Sequence, residues 1–380
     1  EPRLLGAAKQ DNVLPAIGAA DHGAEADDDQ VREMMSFALE DSRRILNPIG
    51  PSVILDVIFI EEHEMSDGHV SRRRFLAQAG AGACCAVVLP ASAQDVGRSS
   101  QRPLRLGGPV PAPDPDAWIA ELKSRGYRAA YCPIGADASD DLVAAYRRAA
   151  DQNDIVIAEV GAWSNPISPN DTQAKQAVDH CIRQLALAER IGANCCVNVA
   201  GSRHPDQWAG PHRDNLTDDT FDLVVETTRR IIDAVNPTRT FFTLECMPWS
   251  FPDSVDSYVR LLEAIDRKAF AVHLDPVNIV TSPRVCFFNG RMIREAFDRL
   301  GPHIRSCHGK DILLDDKVYT PHLSECRPGT GQLDYAEFLR QLARRPDIPL
   351  MLEHLPNQQE YKLAADHLWS VAAGLGLSFG

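Results

Sequence analysis

Beyond residue 103 the chain keeps one rhythm: a short apolar run, then a longer stretch in which apolar residues recur every three or four positions. The short runs, at 104–106, 129–132, 155–160, 195–200, 241–246, 270–274, 304–307 and 350–352, read as strands buried on both faces. The longer stretches, near 116–125, 140–152, 172–191, 218–235, 254–267, 291–300, 335–344 and 359–375, read as helices with one apolar face. Leu223, Val224, Thr227 and Ile231 illustrate that face. Strand and helix in strict alternation build parallel βα units, because each helix carries the chain back along the sheet. Eight such units predict an α/β fold, a single (β/α)8 TIM barrel, with a doubly wound sheet as the alternative.

The first hundred residues lack that rhythm. Residues 1–64 hold an acidic run at 21–29, a helical stretch at 30–46 and a lone apolar segment at 53–60, and are expected to be a disordered extension or a mis-assigned start. Residues 65–93 resemble a twin-arginine signal peptide, with Arg72-Arg73-Arg74-Phe75-Leu76, a weakly apolar 77–89 and the cleavage-like Ala91-Ser92-Ala93. Their apolar run is too short to span a bilayer. The expectation is that Met65 starts the precursor and that 94–103 is a polar linker to a barrel at 104–380. Export machinery for folded proteins would then deliver it to the periplasm or the medium; an unused signal would leave it cytoplasmic.

Four strand ends carry charge where apolar residues are the rule: Glu245, Asp275, His308 and Glu353. Ionisable groups are placed at such positions when something pairs with them or binds a cation. In a parallel barrel the C-terminal strand ends open onto one mouth, so these four side chains, from strands five to eight, surround a single point. The run Ser306-Cys307-His308-Gly309-Lys310-Asp311 adds an ammonium and a further carboxylate beside the imidazole.

Composition narrows the function. A net charge of −14 and a pI near 5.3 give no basic surface for phosphate contacts, which argues against nucleic acid. Ten cysteines occur without any Cys-x-x-Cys, and Cys132, Cys195, Cys196, Cys246 and Cys307 sit in apolar runs, so they read as buried free thiols.

Three carboxylates and one imidazole suit a single hard divalent cation, Mn²⁺ first, with Mg²⁺ or Co²⁺ as alternatives. Such an ion can hold vicinal sugar oxygens and polarise a carbonyl, which acidifies the neighbouring C–H. Glu245 and Glu353, from strands nearly opposite, can then remove and return a proton on the two faces of an ene-diolate. Lys310 is a candidate to stabilise the developing oxyanion, and Asp311 to orient His308 or Lys310 from behind. An exposed Lys310–Asp311 ion pair of little consequence is the competing reading.

These marks together resemble the xylose-isomerase-like TIM-barrel superfamily, in its sugar (phosphate) isomerase/epimerase group. The resemblance rests on Glu245, Leu274-Asp275-Pro276-Val277-Asn278, His308-x-Lys310-Asp311, Pro328-Gly329-Thr330-Gly331-Gln332-Leu333-Asp334 and Glu353. It implies that Glu245, Asp275, His308 and Glu353 bind one metal and that the two glutamates exchange protons. Asn278 departs from the histidine that many relatives carry there, and the Asp-x-His pair of the related endonuclease IV proteins is absent. Both departures argue against DNA repair.

Weaker candidates for substrate contact follow the other strands. Glu159, Trp163 and Asn165 come after strand three, Asn198, His204 and Trp208 at or after strand four, and Arg327 is placed to meet an anionic group. Asn278 is placed to bind a hydroxyl, and His273 reads as a core histidine sharing the inward face. The expected activity is metal-assisted isomerisation or epimerisation of a small-molecule carbohydrate. A lyase or dehydratase on a keto-sugar or cyclitol is the nearest alternative, and a non-catalytic carbohydrate-binding barrel the third. The sequence also leaves a homo-oligomer open.

Overall fold

The computed structural model describes residues 102–380. The extension at 1–64, the signal-like segment at 65–93 and all but the end of the linker lie outside the described residues.

The chain runs β1 (Arg105–Gly108), α1 (Pro115–Ser124), β2 (Ala129–Tyr131), α2 (Asp140–Gln152), β3 (Val156–Gly161), α3 (Asp171–Ile191), β4 (Cys195–Asn198) and α4 (Asp218–Val235). It continues through β5 (Phe241–Glu245), α5 (Val255–Ile265), β6 (Phe270–Leu274), two short helices α6 (Pro276–Ile279) and α7 (Pro283–Phe287), and α8 (Asn289–Leu300). The last part is β7 (Ile304–Gly309), β8 (Asp311–Leu314), β9 (Leu323–Cys326), α9 (Tyr335–Ala343), β10 (Pro349–Leu352) and α10 (Gln358–Gly374). Eight strands close a parallel barrel in the order β1-β10-β7-β6-β5-β4-β3-β2, the TIM barrel that the alternating pattern predicts.

Side chains that leave the strands outward, among them Leu106, Ile157, Phe242, Leu244, Val272, Leu350 and Leu352, are buried against the helix ring in one continuous core. Each such burial contributes about 1.5–3 kcal/mol. Polar caps start the helices: the side chains of Asp114, Ser139, Asn170, Thr217, Ser254 and Asn357 each accept a backbone N–H from the first turn.

Inside the barrel the lower layer is small and apolar. Ala129, Ala158 and Met351 form a cluster of their own. Gly107 belongs to this layer because a Cβ there would lie 2.4 Å from the Ala129 carbonyl oxygen. Above it the interior turns polar, and two register shifts bring that about. Ala130 pairs with Ile157 but Tyr131 with Glu159, and Val272 pairs with Ile304 but His273 with Ser306. An extra residue in one strand re-aims the side chains beyond it. The extra residues lie in β3 and β7, and the residues directly beyond them are Glu159 and Ser306, the latter opposite His273.

The structure adds elements that the periodicity conceals. β8 and β9 form an antiparallel hairpin rising from the end of β7, with Asp311 opposite Cys326 and Leu314 opposite Leu323. β9 is the polar sequence Leu-Ser-Glu-Cys, half-exposed, so it carries no apolar signal. α6 and α7 each begin with a proline in the first turn, where its missing N–H costs nothing.

Candidate active site

Glu245 closes β5, Asp275 follows β6, His308 lies in β7 and Glu353 follows β10. Their donor atoms come within 4.8 Å of one another. His308 Nδ1 is 2.8 Å from Glu353 Oε1, 3.1 Å from Glu245 Oε1 and 3.8 Å from Asp275 Oδ2. The other ring nitrogen, Nε2, is 3.3 Å from Glu159 Oε2. The Glu159 Oε1 atom in turn lies 2.5 Å from Ser306 Oγ and 3.1 Å from His273 Nε2. Glu159 therefore stands beneath the imidazole and turns Nδ1 toward the three acids.

Lys310 projects into the same group. Its ammonium is 2.5 Å from Glu353 Oε1, 2.9 Å from Asp275 Oδ2 and 3.6 Å from Glu245 Oε1, and its side chain is 3% exposed. Burial alone pushes the carboxyls of Glu159, Glu245 and Glu353 up, yet the neighbouring cationic groups outweigh it and hold all three below the usual carboxylate range. His308 supplies that charge to all three, joined by His273 at Glu159 and by Lys310 at Glu245 and Glu353. Asp275 goes the other way: full burial, against the pull of Lys310, lifts it to about 6. For His308 and Lys310, burial disfavours the charge but the surrounding carboxylates more than restore it, so both are raised.

Asp275 Oδ2 and Glu353 Oε1 are buried without an aligned hydrogen-bond donor, although both point at the shared centre. Donors about 2.1 Å from one octahedral cation stay within about 4.2 Å of one another, close to the spacing here. Two orphaned carboxylate oxygens, a third carboxylate and one imidazole nitrogen fit a hard divalent ion. A thiolate-preferring ion has no ligand here, since the nearby Cys246 Sγ bonds the Asp275 carbonyl oxygen instead.

A cavity of about 600 Å³ opens above these groups and includes Glu245, Lys310, Glu353 and Asn278 in its wall. The Asn278 Nδ2 group donates to Glu245 Oε1 at 3.0 Å.

A family profile described as xylose isomerase-like TIM barrel matches residues 119–370. The chain belongs to this family. No curated protein matches it in sequence. Among solved structures it is similar to a xylose isomerase domain protein from Planctomyces limnophilus, at 16% identity and a TM-score of 0.52, covering 72% of this chain and 99% of that one. It is similar as well to D-psicose 3-epimerase with D-tagatose from Clostridium cellulolyticum H10, at 16% identity and a TM-score of 0.50, over 70% and 99% of the two chains. A third is a xylose isomerase-like TIM barrel protein from Mycobacterium smegmatis in complex with magnesium, at 16% identity and a TM-score of 0.50, over 71% and 95%.

In this xylose isomerase-like barrel the remaining sequence candidates divide. Trp163 and Asn278 line the cavity. Glu159 is 1% exposed and lies below His308, outside the substrate space in which the sequence reading set it. Asn198 points outward: its amide bonds Cys181 on α3 and its carbonyl accepts the Ser164 N–H, so it links strand to helix and is no substrate contact. His204 accepts the N–H groups of Asp206 and Gln207 through Nδ1, folding its own loop, and is not in the cavity wall. Arg327 is taken by Glu360 at 2.8 Å.

Asp311 corrects a further expectation, for its carboxylate contacts neither His308 nor Lys310. It accepts four backbone N–H groups, from Ile312, Gly329, Gly331 and Leu333, and so fastens the Pro328–Leu333 loop under the hairpin. Gly331 is required there, since a Cβ would lie 2.4 Å from Asp311 Oδ1.

The family barrel also recruits residues that sequence reasoning passed over. Tyr131 borders the cavity and bonds the Leu352 carbonyl oxygen at 3.2 Å. Trp249 follows β5 in Met247-Pro248-Trp249, an aromatic just past a charged strand end and the one available signal. Glu325 on β9 pairs with His354 at 3.1 Å and comes within 3.6 Å of Lys310. His354 itself has φ of +56°, a costly conformation for a non-glycine residue, directly after Glu353.

Proposed function

We propose that this protein is a divalent-metal-dependent isomerase or epimerase of a carbohydrate, moving a proton beside a carbonyl through an ene-diolate. The reading is carried by one observation: two glutamates, Glu245 and Glu353, reach a common centre from β5 and β10, two strands intervening between them in the barrel. Carboxylates that approach a bound sugar carbon from two sides can act as base and as acid in turn.

Glu245, Asp275, His308 and Glu353 would hold the cation, whose chemistry is to polarise a substrate carbonyl and an adjacent hydroxyl. The other steps belong to the protein's own groups. Glu159 fixes the His308 ring through Nε2. Asn278, already donating to Glu245, orients the oxygen of that carboxylate and offers its amide to a hydroxyl. Lys310 brings a permanent positive charge to the oxygen on which charge develops. The buried setting of Glu159, Glu245, Asp275, His308 and Lys310 strengthens their electrostatics relative to water. Two structural neighbours described as D-psicose 3-epimerase, and one described as in complex with magnesium, support the reading.

The test is incubation of the Mn²⁺-loaded protein with a panel of ketoses, aldoses and keto-glycosides in D₂O. Deuterium should enter one carbon beside the carbonyl of the accepted sugar, and Glu353→Gln should slow that entry at least a hundredfold. A panel without any exchange removes the proposal.

Export by the twin-arginine route is proposed from residues 65–93 alone. Mass spectrometry of the mature protein should find its N-terminus just after Ala93, and a retained Arg72-Arg73 would refute it.

A further inference from the structure

The chain has five tryptophans, and three of them, Trp163, Trp208 and Trp249, are 43%, 50% and 36% exposed in the wall of the active-site cavity. Trp163 follows β3, Trp208 lies between β4 and α4, and Trp249 lies between β5 and α5. Since β3, β4 and β5 are neighbours in the barrel, the indoles form one side of the mouth.

The Trp249 ring and the loops around it are held by polar bonds. Trp249 Nε1 donates to the Ala209 carbonyl oxygen at 2.7 Å, while the fully buried Asn215 donates to the carbonyl oxygens of Gly210 and Trp249, both at 3.0 Å. The loops bearing Trp208 and Trp249 are thereby fastened to each other. Trp163 is folded over Gly161, where a Cβ would lie 2.5 Å from its Nε1. Large aromatic faces fixed at a cavity rim and left uncovered mark a place for a flat apolar surface. One face of a pyranose ring, made of C–H groups, is such a surface.

Size and charge define the occupant. Twelve heavy atoms of a hexose, even at the roughly 30 Å³ that each water takes in the liquid, fill no more than about 360 Å³. The cavity holds about 600 Å³. Its basic groups are surrounded by acids: Lys310 lies among Glu245, Asp275, Glu325 and Glu353, and His354 pairs with Glu325. A phosphate or uronate on the substrate would meet Glu325 and Glu353 without a free partner.

We infer that the tryptophan side of the mouth is a subsite for a second ring, so that the substrate is an uncharged glycoside or disaccharide. This rests on the carbohydrate reading above and specifies its substrate class. The reacting ring sits at the carboxylates, and the attached ring stacks on Trp208 and Trp249.

Isothermal titration of the Mn²⁺-loaded full chain tests it, comparing lactulose with fructose, maltose and cellobiose with glucose, and fructose 6-phosphate with fructose. At least one two-ring sugar should bind tenfold or more tighter than its one-ring parent, and the phosphate no tighter than fructose. Trp208→Ala and Trp249→Ala should each cut the two-ring advantage at least threefold, with Trp→Phe at the same positions keeping most of it. The inference is overturned if the advantage stays near one across the panel, survives both alanine variants, or yields to tighter binding of the phosphate. Deuterium exchange into a one-ring sugar without a two-ring advantage removes this inference and leaves proton transfer standing. A two-ring advantage without exchange does the reverse.

Discussion

Glu159 and His308 reach each other from diametrically opposed strands, β3 and β7, with 3.3 Å between Oε2 and Nε2. This contact crosses the barrel interior and decides which imidazole nitrogen faces the acids. Glu159→Gln should therefore weaken metal binding about 10–100-fold, the usual cost of losing a partner that orients a ligand histidine. Calorimetric Mn²⁺ titration measures it. Glu159→Ala should also lower stability by about 3 kcal/mol in denaturant unfolding, since Ser306 and His273 lose their acceptor as well.

Lys310 and a divalent cation compete for the same atoms, Asp275 Oδ2 and Glu353 Oε1. Lys310→Met should destabilise the metal-free protein by about 3–5 kcal/mol, because it strands buried carboxylates beside one another. Added Mn²⁺ should then raise the melting temperature of the variant more than that of the parent. Equal shifts in the two proteins would show that the ammonium and the ion occupy different places.

Asp311 anchors a loop through four amides, so its effect belongs to order rather than to catalysis. Asp311→Ala should cost at least about 3 kcal/mol, given about 1.5–3 kcal/mol for hydrogen bonds to a charged group. Hydrogen exchange at Gly329, Gly331 and Leu333 should rise selectively. Unchanged protection there would contradict the anchoring role.

The barrel and the meeting of four strand-end side chains were legible because both follow from period and topology. Charged residues terminating apolar runs in a parallel barrel have one mouth to share. What escaped the sequence depends on single-residue offsets. Glu159 comes inward only because the pairing of β2 with β3 slips between Ala130 and Tyr131, a shift with no compositional mark. Asn198 shows the opposite failure: strand alternation sends Cys196 and Asn198 outward together, and its polarity suggested substrate where a helix waits. Asp311 was misjudged because its four partners are backbone amides, which leave no trace in side-chain chemistry. Of the five cysteines read as buried, Cys195, Cys196, Cys246 and Cys307 are so, while Cys132 is only partly buried.

Glu189, far from the mouth, offers a pH prediction. Its carboxylate accepts the Thr238 hydroxyl and the N–H groups of Arg239 and Thr240, which, against the opposing effect of burial, lower its pKa to about 2. A carboxyl depressed in the folded state adds stability above the unfolded value, near 4.5, and loses it as pH falls toward 2. Glu189→Gln should thus lower stability by about 1.5 kcal/mol at pH 7. The gap from the parent should narrow steadily between pH 4.5 and 2 in denaturant unfolding, and a gap independent of pH would exclude the charge as its source.

The apolar layer of Gly107, Ala129, Ala158 and Met351 seals the barrel beneath its ionisable groups. Traffic is thereby confined to one doorway: whatever arrives to react must leave by the path it came. A guest with its far end resting on the indoles would act as a stopper, keeping bulk water off the carbon that is losing its proton.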